Sequence, residues 1–115
     1  MMRPPTKIKH RHVKGIMNST ECNFYNLFIQ PLVLKGEVTN FQFEGLKFVL
    51  AKRCSYLPDF VLTFSDGRKQ VIEVKGGFIY EGSREKFLWA KEKYGKEYEF
   101  QAWQYKNNRW REIWI

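Results

Sequence analysis

The chain has 115 residues, the length of one domain built on a single hydrophobic core. Hydrophobic residues make up 43% and aromatics 17%, which excludes a disordered chain, and no apolar run approaches the roughly 18 residues of a membrane span. Twenty Lys and Arg against twelve Asp and Glu leave a net charge of +8, a balance that attracts polyanions and nucleic acid above all. The N-terminus has no apolar signal region. Cys22 and Cys54 fit neither a metal-ligand spacing nor a disulfide framework. The expectation is therefore a cytoplasmic protein with no membrane partner and two reduced thiols, Cys22 buried.

Residues 1–17 read as a basic N-terminal arm and residues 18–115 as the folded domain. The arm carries Lys7, Lys9, Arg11 and Lys14 and no acid before Glu21. Such a segment either lies along phosphates or remains solvated. Asn18-Ser19-Thr20-Glu21 then reads as a helix start, and Phe24, Leu27, Phe28, Leu32 and Val33 recur at helical spacing up to Gly36. Pro31 inside this stretch should kink or split it. Three segments of strand type follow: Val38 to Leu50, with a break at Gly45, then Tyr56 to Phe64, then Lys69 to Lys75. A second helix runs from Ser83, its N-cap, to Tyr94. Strands at Tyr98 to Tyr105 and Arg109 to Ile115 flank a tight turn at Lys106-Asn107-Asn108. The order describes one α/β domain, a central mixed sheet of about five strands flanked by two helices.

The most informative stretch is the hairpin from Pro58 to Lys75. With Asp66-Gly67 as a two-residue loop, Phe60 would face Glu73 and charge would be mixed with apolar groups on both sides. With Ser65-Asp66-Gly67 as a three-residue loop and Gly67 left-handed, Asp59 pairs with Glu73 and Val61 with Val71. Phe60, Leu62, Phe64, Ile72 and Val74 then share the other face, the separation expected of strands half-buried on one side. In that register Lys75 projects beside Glu73 at about 7 Å along the strand. The Cβ of Asp59 lies about 5 Å across the ladder from that of Glu73. Two carboxylates so close repel unless one holds a proton or a cation lies between them. A hard divalent ion such as Mg²⁺ satisfies them and also polarises a phosphodiester. Gly76-Gly77 follows, where a substrate backbone can approach closely.

These residues resemble the PD-(D/E)XK nuclease superfamily: Glu21 on the first helix, Pro58-Asp59, and Glu73-Val74-Lys75. Lys35-Gly36-Glu37-Val38, Tyr56-Leu57-Pro58-Asp59-Phe60 and Ser83-Arg84-Glu85-Lys86 add to the likeness. The closest likeness is to small phage-encoded members, including Holliday-junction resolvases of the endonuclease I type. The resemblance implies a restriction-endonuclease-like core and a Mg²⁺-dependent endodeoxyribonuclease, with Mn²⁺ able to substitute. It makes Asp59, Glu73, the Val74 carbonyl and Glu21 the metal ligands, and Lys75 the residue that orients the attacking water or acts as its general base. Glu21 reads equally well as a first-turn acid that favours the helix dipole. Lys52, Arg53, Arg84 and Lys86 become candidates for DNA contact, and for the last two a solvated helix face is an equal reading. Trp103, Trp110 and Trp114 read as sheet packing. Resolution of a four-way junction takes two symmetric cuts and hence a homodimer. The competing expectations are a nicking, restriction-like or transposase-associated nuclease, and a non-catalytic DNA-binding module.

Overall fold

The protein is described here by a computed structural model covering residues 15–115. The arm candidates Lys7, Lys9, Arg11 and Lys14 lie outside the described residues.

The first helical run starts as its residues prescribe. Asn18 is the N-cap, its side chain accepting the Glu21 N–H at 2.8 Å while the Glu21 carboxylate accepts the Asn18 N–H at 2.9 Å. This reciprocal capping box satisfies two helix-end donors and fixes the Glu21 side chain at the same time. Helix α1 (Ser19–Phe24) passes into a π-helical turn (Tyr25–Ile29) and then into α2 (Gln30–Leu34). Proline has no N–H to donate and is best tolerated in a first turn. Pro31 accordingly sits at the start of α2, and the wider turn before it absorbs the break.

Two of the expected strands are each divided. Residues 38–50 give β1 (Val38–Phe43) and β2 (Phe48–Ala51), separated at Glu44 and Gly45. Residues 56–64 give β4 (Phe60–Phe64), preceded by the short β3 (Cys54–Tyr56). Pro58 interrupts them because it cannot donate to a ladder. After β5 (Lys69–Lys75) come α3 (Ser83–Tyr94), β6 (Glu99–Lys106) and β7 (Arg109–Ile113). Gly82 rather than Ser83 caps α3, with φ at +90° and no side-chain cap bond. Asn107 and Asn108 both have positive φ, the conformation that a two-residue hairpin turn requires.

The main sheet has the order β1-β4-β5-β6-β7, while β2 and β3 pair separately. β5 and β6 run parallel, with α3 in the crossover, and the other neighbours are antiparallel. Both faces of this sheet are covered. Phe60, Leu62, Ile72 and Val74 pack with Phe24 and Ile29 of the first helical run. Val61, Val71 and Ala102 pack on the opposite face with Phe87 and Ala90 of α3 and with Tyr56. The β4–β5 hairpin is thus buried on two sides, not the one its alternation suggested, because α3 and the β2–β3 hairpin cover the second face.

The tryptophans pack as expected. Trp103 stacks on Phe28, Trp110 meets Phe24 edge-on, and Trp114 lies against Phe87. Cys22, expected to be buried, is exposed, because α1 turns Glu21 and Phe24 inward instead. No helix among the described residues is long and apolar enough to cross a membrane.

Candidate metal centre

The loop of the β4–β5 hairpin sets the geometry of the site. Gly67 adopts φ +93°, a conformation open to glycine, and its N–H donates to the Phe64 carbonyl at 2.9 Å. The Phe64 N–H donates to the Arg68 carbonyl at 2.8 Å, closing a loop of Ser65, Asp66 and Gly67. Val61 stands opposite Val71 and Phe60 opposite Ile72. One step beyond, the same register sets Asp59 against Glu73.

The neighbouring strand adds a third acid to this row. Phe43 of β1 is paired with Phe60, which brings Glu44 level with Asp59, and the Glu44 N–H donates to the Asp59 carbonyl at 2.9 Å. Glu44 has φ 51°, an unusual left-handed conformation for glutamate. Its carboxylate accepts the Gly15 N–H at 2.7 Å. Glu21, held by its capping box, reaches the same place from α1. Carboxylate oxygens of Glu21, Glu44 and Asp59 all lie within 4.8 Å of one another and could hold a metal ion.

The electrostatics follow from burial. Glu21 is 4% exposed, and Asp59 and Glu73 are each 8% exposed. Asp59 accepts the Val74 N–H at 2.7 Å, a donor that lies past the last residue of the β4 ladder. That bond favours its ionised form, yet burial first, then the charges of Glu73 and Glu21, push the Asp59 carboxyl well above the usual carboxylate range. Burial also raises the Glu73 carboxyl, opposed by Lys75 and by a hydrogen bond from Tyr56. Lys75 Nζ lies 3.2 Å from Glu73 Oε2, and the Tyr56 hydroxyl donates to Glu73 Oε1. Burial and then the adjoining carboxylate keep that phenol protonated by raising it far above its ordinary value. Each Glu73 oxygen therefore has its own donor, one cationic and one neutral.

Four residues named from the sequence come together here: Glu21, Asp59, Glu73 and Lys75. Val74 touches the cluster through its N–H, while its side chain is buried beneath the first helical run. Glu73, Lys75, Tyr56, Ser55, Ser83 and Lys86 line a shallow adjoining cavity of about 190 Å³. Lys86 is thus beside the cluster, whereas Arg84 is exposed and does not line this cavity. Lys52 and Arg53 form the exposed tip between β2 and β3. Two members of the site escape the sequence reading, Glu44 and Tyr56. The signal for Glu44 was a lone acid at the strand break before Gly45. For Tyr56 it was an aromatic hydroxyl two residues before Pro58. Comparison with protein-family models, with curated proteins and with solved structures finds no match for this chain.

Proposed function

We propose that this protein is a metal-dependent endodeoxyribonuclease that hydrolyses phosphodiesters in branched DNA such as four-way junctions, acting as a homodimer. The observation that carries the reading is the row of carboxylates at the ends of β1, β4 and β5, half-buried Glu44 and buried Asp59 and Glu73, with buried Glu21 above it and Lys75 alongside. Buried acids at this spacing oppose one another's ionisation, and a cation offsets both that repulsion and their lost hydration. The donors are all oxygen, which suits a hard ion of the Mg²⁺ or Mn²⁺ kind.

Asp59 is the central ligand in this reading, since the Val74 amide fixes one of its oxygens and both Glu21 and Glu73 flank it. Glu21 and Glu44 supply further carboxylates, and Glu73 and the Val74 carbonyl are candidates once substrate is bound. A bound Mg²⁺ ion would polarise the phosphodiester and acidify a water. Lys75, steadied by Glu73, is placed to orient the attacking water and to meet the negative charge that builds on the phosphate oxygens. Lys86, across the cavity wall, supplies a second cation for an adjacent phosphate. The order Glu21, Pro58-Asp59, Glu73-Val74-Lys75 and the mixed sheet with helices on both faces support a PD-(D/E)XK, restriction-endonuclease-like reading of the fold.

The test compares wild-type protein with Asp59→Asn on a synthetic four-way junction, a linear duplex and a single strand, with and without Mg²⁺. The expected result is Mg²⁺-dependent cleavage of the junction by the wild type alone, with both proteins binding it. Cleavage unchanged by the substitution overturns the site. Equal cleavage of duplex and junction favours the nicking or restriction-like alternative, and binding without cleavage favours the non-catalytic module.

A further inference from the structure

We propose that Phe78 and Tyr80 form a stacking platform for an unpaired base beside the candidate metal centre, so that the substrate class is DNA with an unstacked nucleotide at a branch. The inference deepens the nuclease reading and rests on it. Both rings lie in the connection between β5 and α3, outside the two cores. Phe78 is 71% exposed and Tyr80 65% exposed. They pack against each other edge to face, with centroids 4.8 Å apart and planes at 90°. Single exposed aromatics are ordinary surface features, but two side by side make an apolar patch that water covers at a cost.

The connection that carries them is anchored at both ends. Gln104 donates from Nε2 to the Gly76 carbonyl at 3.0 Å, and the Ser83 N–H donates to the Tyr80 carbonyl at 3.3 Å. Ile79, between them in sequence, is half-buried. The residues at either end of the connection, Lys75 and Ser83, both line the polar cavity next to Glu73. Chain reach keeps the Cα of Phe78 within about 11 Å of that of Lys75.

The surroundings select the partner. Lys86 in the cavity wall and exposed Arg84 on the first turn of α3 are the cations a phosphate chain can meet here, interspersed with the exposed acids Glu81 and Glu85, while Lys75 is paired with Glu73. Cations that track a backbone next to exposed rings are the two components of single-strand recognition. A base inside intact duplex already has both faces stacked, so only an unpaired one can meet these rings. The base pairs that border a branch lack a stacking neighbour on one side and open more readily than those of a continuous duplex, which offers such a base next to a duplex phosphate.

The test titrates full-length wild type and the double variant Phe78→Ala with Tyr80→Ala, in EDTA, against three DNAs carrying 2-aminopurine: a four-way junction labelled at the branch, a single strand and a linear duplex. The double variant is expected to bind junction and single strand about ten- to a hundredfold more weakly, and duplex within about twofold. The 2-aminopurine signal from ring stacking is lost with it, while Tyr80→Phe keeps both. Equal weakening on all three DNAs, or none, overturns the inference. Sedimentation without DNA is a further arm, and a change in mass on removing the rings would assign them to a contact between copies and overturn it too.

Cleavage with Mg²⁺ separates this inference from the reading it rests on. A wild type that cleaves none of these DNAs, yet loses branch binding with the rings, overturns the nuclease and leaves the platform standing. A double variant that cleaves the junction with undiminished preference over duplex overturns the platform and leaves the nuclease standing.

Discussion

Tyr56 shows how a single hydroxyl tunes the site without being a ligand. Its ring packs against Phe48 and Phe87, and its phenol gives Glu73 Oε1 a donor that Lys75 does not reach. A hydrogen bond to a charged group contributes about 1.5–3 kcal/mol. Tyr56→Phe keeps the packing and removes that bond, so the Glu73 carboxyl should rise further, because the Tyr56 bond lowers it. For the proposed cleavage, the expected outcome is a kcat on junction DNA lower by about tenfold, an acid limb of the pH–rate profile moved to higher pH, and KM nearly unchanged. A profile that keeps its position would mean that the hydroxyl serves only packing. At this scale Asp59 and Glu73 were legible because one local loop fixes their register. Glu44 was not, since it reaches Asp59 only through the pairing of β1 with β4, which no short-range pattern encodes. Tyr56 was hidden in the same way: its role depends on β3 folding across the second face of the sheet.

At the scale of elements, the two ends of the β4–β5 hairpin depend on different physics. The loop is local. Gly67→Ala forces a side chain into φ +93°, with nothing within 4 Å of the added Cβ, so the cost is conformational alone, about 1–2 kcal/mol. Urea melts should show that loss while cleavage below the melting range stays at the wild-type level, because the register is over-determined by Val61 and Val71. The core is not local. Phe87 is fully buried and meets Tyr56, Phe100 and Trp114, so Phe87→Ala is expected to cost about 3–5 kcal/mol. It should also lower activity in protein that remains folded, since α3 holds the wall from which Tyr56 addresses Glu73. The same contrast explains which elements the sequence disclosed. The β4–β5 loop and the β6–β7 turn are written in turn residues within a few positions, and the extent of α3 was legible although Gly82 rather than Ser83 caps it. The division at Pro58 and the π-helical turn before Pro31 also have local causes, but their form depends on what packs around them. The covering of both hairpin faces is a tertiary fact, and alternation along two strands does not distinguish a solvated face from one beneath a helix.

Across the whole molecule, the buried acids couple folding to pH and, on the proposed reading, to metal. Asp59 and Glu73 have carboxyls raised in the folded state, so the folded protein binds more protons than the unfolded chain above the ordinary carboxylate pKa. Their contribution is therefore fully favourable below that value and is lost as pH rises through the folded pKa of each group. The net charge of +8 acts in the opposite direction, since protonating surface carboxylates in acid increases self-repulsion. Asp59→Asn separates the two effects, because it leaves the surface untouched and preserves an acceptor for the Val74 N–H. Metal-free Asp59→Asn should melt higher than metal-free wild type near about pH 8, with the difference shrinking towards about pH 5. On the proposed reading Mg²⁺ binds the ionised cluster, so its binding competes with protonation of the Asp59 carboxyl, which is raised above its usual range. At a hundredfold excess over Kd it should stabilise the wild type by about 2.7 kcal/mol near neutral to basic pH, by much less in acid, and the variant hardly at all. Thermal melts of both proteins in EDTA and in Mg²⁺ across this range check the linkage. A Mg²⁺ shift of equal size in wild type and variant would place the ion elsewhere on the molecule, whatever the cluster's geometry allows.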